Sequence, residues 1–274
     1  MSEAAELNKT IRSRRSTIIL GVVSALVLLL VYGGGLIALP LSIVSNYQSK
    51  NCDSVLSLDE IYASLYPAFM QDTSLENYVM ECAVYTLANR NEEKNAWRDS
   101  YDAYRVYVNT YPNGLFVKEA NKQSAGVLVE LAKDQLSEKK YYEAIGSLNL
   151  VLSEYADTNA SADTTSLFPE IYTAWGADLR ATGDFENAVN VFNEFQAWIQ
   201  KNQKTEFEIE TQRELAKTYL EWGLSLQAQK QFEEAKEQSM LFTMKTKGIA
   251  TKKEVVVYKP QQRIAEQNRF GSFA

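Results

Sequence analysis

The 274-residue sequence contains no histidine. That absence excludes Ser-His-Asp and Cys-His catalysis, histidine-ligated zinc and a histidine pH switch. Only two cysteines occur, Cys52 and Cys82, too few for a four-cysteine zinc site. Glycine and proline are scarce, at 12 and 5 residues, which suits a mostly helical body. There is no excess of positive charge. The net balance is −7; residues 1–16 carry +2 through Lys9, Arg12, Arg14 and Arg15 against Glu3 and Glu6, leaving −9 for the rest. An acidic body argues against a nucleic-acid partner, because phosphate binding needs a basic surface. No GxxxxGK[ST], GxGxxG, GxSxG or EF-hand loop is found. The segment DTNASAD at 157–163 has oxygens but lacks the EF-hand glycine and terminal glutamate. Carboxylate pairs such as Glu92-Glu93 and Glu233-Glu234 read as solvated helix faces. Neither a cofactor nor a metal is expected, and no catalytic residue stands out.

What the sequence does have is one long apolar run. Thr17–Val44, TIILGVVSALVLLLVYGGGLIALPLSIV, holds no charge. About 20 apolar residues cross a bilayer, whereas the apolar core of a cleaved signal peptide is about 7–15 residues. The run therefore predicts an uncleaved, single-pass signal anchor. QSKN precedes Cys52, which does not fit a lipoprotein cleavage motif. Arg12, Arg14 and Arg15 lie before the span, and Lys50, Asp53, Asp59 and Glu60 follow it. The positive-inside bias puts the N-terminus in the cytoplasm and the body outside the plasma membrane. Such a compartment permits disulfides. A Cys52–Cys82 bridge would close a loop of about 30 residues and stabilise by roughly 3–4 kcal/mol in the chain-entropy model; the alternative is two buried free thiols.

The remaining chain repeats itself. Ser100, Ala144, Ala188 and Ala235 head similar phrases, among them YYEAIGSL, FENAVNVF and FEEAKEQS. Twelve residues earlier stand Ala88, Ala132, Gly176 and Gly223, all small. Three earlier stand Trp97, Tyr141, Phe185 and Phe232, all aromatic. Seven later stand Tyr107, Val151, Phe195 and Phe242, all bulky and apolar. Two further columns agree: Val84, Leu128, Tyr172 and Tyr219, then Leu87, Leu131, Trp175 and Trp222. Small residues on two helices let their backbones approach, and apolar residues three, four and seven apart make each helix amphipathic. One such hairpin cannot bury its own face, so neighbours must stack.

These columns resemble the tetratricopeptide repeat, whose first helix carries W-x2-L-G-x2-Y and whose second carries A-x3-F. IYTAWGADLRATGDFENAVNVF fits best, with Gly176, Gly183-Asp184, Phe185, Ala188 and Phe192 in the family's places. AYRVYVNTYPNG resembles the "YP" closure of tetratricopeptide proteins of bacterial envelopes. The likeness covers about residues 76–247. It departs from the family in period, 44–47 residues instead of 34. A longer first helix at 115–138 is expected to absorb the excess in the second unit, with solvated loops at ADTNASADTTS (156–166) and KNQKTE (201–206). Capping boxes at Ser57–Glu60 and Thr73–Glu76 predict helix starts. The first of those helices, a strap, is expected to pack under the first repeat through Ile61, Leu65 and Phe69. EVVVY at 254–258 reads as strand-like.

The expected architecture is thus all-α, a tetratricopeptide-like stack of about four hairpins behind one transmembrane helix. Its segments are a cytoplasmic 1–16, a span at 17–45, a strap at 46–73, repeats at 74–248 and a tail at 249–274. The resemblance implies an interaction scaffold. The family's groove is lined by the first helix of each hairpin, which implies Tyr85, Asn89, Val129, Lys133, Thr173, Arg180, Leu220 and Leu224 as the binding face. The partner would be an extended peptide or another envelope protein. Two other classes compete. A sensory ectodomain would need a membrane partner to relay, since sixteen inside residues hold no signalling domain. An envelope polysaccharide hydrolase could work with carboxylates alone.

Overall fold

The structure, a computed structural model, describes residues 2–249; the strand-like segment at 254–258 lies outside the described residues. Among the described residues every regular element is helical. The helices are α1 (Ser2–Gln48), α2 (Cys52–Leu65), α3 (Glu76–Glu93), α4 (Trp97–Thr110), α5 (Val117–Ser137), α6 (Tyr141–Glu154), α7 (Ala160–Ala181), α8 (Phe185–Lys201) and α9 (Glu208–Ala228). The chain is helical again over 232–249. It divides inside α5 into two compact units, Met1–Val127 and Leu128–Ala274.

The small columns lie inside the hairpins. Ala88, Ala132, Ser100, Ala144 and Ala188 are fully buried. Ser100 Oγ donates to the Ala88 carbonyl at 2.9 Å, which stitches α3 to α4. A Cβ on Gly176 would lie 2.2 Å from the Phe192 ring. Each hairpin closes on a left-handed residue: Asn95 (φ 56°), Lys139 (60°), Gly183 (80°) and Lys230 (62°). The next N–H then reaches five residues back, as in Ala96 to Asn91, Lys140 to Gln135, Asp184 to Leu179 and Gln231 to Leu226. This satisfies carbonyls that a helix end leaves open.

The extra length of the repeat goes into the first helices, and not into unit two alone: α5, α7 and α9 have 21, 22 and 21 residues. The expected loop at 156–166 is mostly absent, because α7 begins at Ala160. Thr164 and Thr165 donate their hydroxyls back to the carbonyls of Ala160 and Ser161. Their hydroxyls are thereby satisfied inside the helix, at the slight cost that i−4 back-bonding brings. The connection after α8 is also short, three residues before a 3₁₀ turn at Thr205–Phe207.

In the first unit α2 packs on both α1 and α3. It starts at Cys52, not Ser57. Lys50 turns the chain at φ 61°, and the Asn51 side chain caps the Ser54 N–H. Cys52 and Cys82 are joined by a disulfide. That bond sets the rotation of α2. With Cys52 held toward α3, the residues on its side, Val55 and Tyr62, turn inward, and Tyr66 just past the helix end is buried with them. Ile61, Leu65 and Phe69 consequently do not pack under the repeat; they are exposed, Phe69 by 85%. The expected capping box at Thr73–Glu76 is not formed: Asp72 caps a 3₁₀ turn at Thr73–Leu75 by accepting from Ser74 N, and α3 follows at Glu76 without a side-chain cap.

Candidate interaction face

The first unit is organised around a buried carboxylate. Glu81 on α3 accepts from Tyr47 Oη of α1 at 2.6 Å, from Tyr107 Oη of α4 at 2.6 Å and from Leu115 N at 2.8 Å. Tyr107 Oη in turn accepts from Phe116 N at 2.9 Å. Burial, and then the hydrogen bond to Glu81, push the Tyr107 phenol well above its usual range. Neutral phenols and one carboxylate thereby lock α1, α3 and α4 together. Tyr85 stacks on Phe116 with centroids 4.5 Å apart. Asn89 Oδ1 lies 2.5 Å from the Tyr104 hydroxyl, which also reaches Glu92 at 2.9 Å. Both residues expected to line a groove in this unit are therefore half-buried supports of the tyrosine cluster.

The second unit divides its expected set three ways. Lys133 is exposed and pairs with Glu130 at 2.6 Å on its own helix, while Val129 on the same helix is buried. Thr173 is half-buried on α7. Arg180 is buried, with Nη2 2.7 Å from Glu214 and Nε 3.4 Å from Glu221 of α9. It also donates to Thr218 Oγ1 at 3.1 Å and lies over the Phe192 ring. Arg180 is accordingly an internal clamp between α7 and α9, because an arginine fork this enclosed needs its partners.

Leu220 and Leu224 are brought together. Both are exposed on α9 and line a cleft of about 220 Å³ with Gly223, Gln227, Phe232, Ala235, Lys236 and Ser239. Phe232 is 62% exposed, although Tyr141 in the same repeat column is buried. The rim carries one cation, Lys236, and otherwise apolar or neutral groups. This arrangement can hold apolar side chains of a helix or extended segment; its one hydroxyl, Ser239 Oγ, donates to the Ala235 carbonyl at 2.9 Å. Sequence reasoning named the two leucines but not Phe232, whose column reads as a groove filler. A second cleft of about 350 Å³ lies beside α2, lined in part by Asp59, Asp72, Glu76 and Met80. Burial raises the Asp59 carboxyl above its usual range. Among the described residues no three histidine, cysteine or acidic groups are placed to hold a metal ion.

No protein-family model matches the chain, and no curated protein matches it either. Two solved chains do match. One, MamA AMB-1 in a C2221 form, is 13% identical, with 77% of this chain and 98% of that chain covered and a TM-score of 0.22. The other, a mutant of MamA, is 14% identical over 78% and 93%, with a TM-score of 0.23. Overlap this loose carries no argument about function.

Proposed function

We propose that the chain is a membrane-anchored interaction scaffold of tetratricopeptide type, with α1 as anchor and the hairpins outside the plasma membrane. One observation carries the reading: the same chain holds an apolar helix with its side chains exposed and hairpins whose buried charged groups, Glu81 and Arg180, are engaged in joining helices. Ile19, Val22, Val23, Leu26 and Val27 are exposed on α1, and the charge-free part is long enough to cross a bilayer. The Cys52–Cys82 bond favours an oxidising compartment. Glu81 and Arg180 hold helices together and leave no reactive centre, which favours binding over catalysis. Of the residues expected to line the groove, Leu220 and Leu224 with Phe232 make the best docking patch, and an amphipathic peptide or protein segment is the fitting partner.

A photocrosslinker placed at Leu224 in native membranes tests this. A discrete adduct, lost in Leu220→Asp, is expected, and Lys201 serves as the exposed control position. Labelling at Leu224 no different from that at Lys201 would remove the patch from the reading. The sensory alternative draws on the Tyr47–Glu81 bond, which ties the end of the anchor directly to the first hairpin and so would transmit a tilt.

A further inference from the structure

We infer that residues 61–71, IYASLYPAFMQ, form an interfacial collar that sits in the headgroup region of the bilayer and dips apolar side chains toward the acyl chains. The inference rests on the anchor reading of α1. The segment has no charged residue and is bracketed by Glu60 and Asp72. It exposes Ile61, Leu65, Phe69 and Met70 together. A water-facing turn rarely concentrates apolar exposure of this kind without a use for it.

Its position along α1 is fixed by two tyrosines. Tyr66 Oη donates to the Tyr32 carbonyl at 2.7 Å, and Tyr32 Oη donates to the Leu65 carbonyl at 3.1 Å. Their rings lie 4.7 Å apart. Gly35 makes room, since a Cβ there would stand 2.2 Å from Tyr66 Oη. Counting from Arg15, the last cation before the run, Tyr32 is about 25 Å farther along the helix. A hydrocarbon core of about 30 Å takes roughly 20 residues, which reaches Gly35. The end of α2 and the turn after it therefore stand level with the outer boundary of the core. Ile37 and Leu41 remain exposed beyond it, so a deeper seat for α1 would only immerse the collar further. Tyr32 is exposed at this level, where interfacial aromatics are favoured, and Tyr62 and Tyr66 are buried against the protein beside it.

The backbone is prepared for little water. The carbonyls of Leu65, Tyr66, Pro67, Ala68 and Met70 accept from Tyr32 Oη, Gln71 Nε2, Met70 N, Gln71 N and Tyr62 Oη respectively. A loop in bulk water has no need of such internal donors, whereas one at a lipid boundary does.

Cys52 and Cys82 are bonded to each other, so an added cysteine is the sole thiol. Phe69→Cys, Leu65→Cys, Val27→Cys and Asn109→Cys are each made in the full chain, nitroxide-labelled and placed in phosphatidylcholine/phosphatidylglycerol vesicles. Collision with dioxygen and with a water-soluble nickel chelate is then read. At 69 and 65, nickel collisions several-fold below those at 109 and above those at 27, with dioxygen collisions raised, are expected. If 69 and 65 match 109 while 27 is immersed, the collar is overturned and the anchor stands. If 27 is also open to nickel, the anchor fails and the collar falls with it. Labels screened from both reagents would mean contact with protein, a second copy included, and would overturn the lipid assignment.

Discussion

The two units bury different chemistry. In Met1–Val127 the interior is rich in tyrosine, and hydroxyls from α1 and α4 converge on Glu81. In Leu128–Ala274 the interior is aliphatic and aromatic: Leu148, Phe168, Ile171, Val191, Phe195 and Ile199 form one cluster, with Phe168 stacked 4.1 Å from Trp198. An apolar cluster is held by area and shape, and tolerates small shifts at a modest cost per atom. A phenol–carboxylate network is directional, and a missing partner leaves buried groups unsatisfied. The second unit has a directional clamp of its own, Arg180 with Glu214 and Thr218, but it lies outside that apolar cluster, whereas in the first unit the network around Glu81 ties in α1. Hydrogen bonds of fixed direction hold the end of α1 at a set angle to α3 and α4.

Four experiments press on that contrast, from the largest effect to the smallest. Phe168→Ala empties the centre of the second unit and costs about 4 kcal/mol. Hydrogen exchange should show the loss in α6–α8 and leave α2–α4 protected; equal loss in both units would erase the distinction. Glu81→Ala strands Tyr47, Tyr107 and the Leu115 N–H and costs roughly 3 kcal/mol. Urea unfolding followed in the first unit measures it, and Glu81→Gln, which keeps an acceptor, should recover a good part.

The third experiment uses pH. Burial raises the phenols of Tyr104 and Tyr107 in the first unit and Tyr172 in the second, and Tyr141 is pushed up to about 12. An unfolded phenol ionises near pH 10. A group raised in the folded state contributes fully below the unfolded value and loses that contribution as pH climbs past it. Stability should hold to about pH 9.5 and decline above about pH 10. The decline should appear in both units, since Tyr107 and Tyr104 lean on Glu81 and Glu92 as Tyr141 and Tyr172 lean on Asp178 and Glu194. Stability that stays flat in either unit from about pH 9 to about pH 11 would contradict this. The smallest effect is Lys230→Gly, which relieves a left-handed residue and should stabilise by about 0.5–1 kcal/mol by thermal melting.

The hairpins are legible in the sequence because small residues and aromatics must recur wherever two helices touch. The turn geometry is not. Asn95, Lys139, Gly183 and Lys230 occupy one more column of the repeat, but they share a backbone angle and not a residue type. The strap helix misleads for a related reason. Ile61, Leu65 and Phe69 are spaced as an apolar stripe, yet α2 ends at Leu65, Phe69 falls in a 3₁₀ turn at Ala68–Met70, and Cys52, Val55 and Tyr62 take the buried side of α2. Periodicity reports that a face is apolar, not what covers it. The roles of Arg180 and Glu81 are illegible because their partners lie 34 residues away, at Glu214 and at Tyr47 and Leu115. Leu220 and Leu224 are legible as exposed positions, while the exposure of Phe232 runs against its column.

The proposed topology is tested most directly by asking from which side of a membrane the hairpins can be reached. Asn109→Cys supplies a lone thiol on α4, and intact cells are treated with a membrane-impermeant maleimide. The account predicts labelling of intact cells equal to that of lysed ones. A thiol that reacts only after lysis would place the hairpins in the cytoplasm and contradict the account.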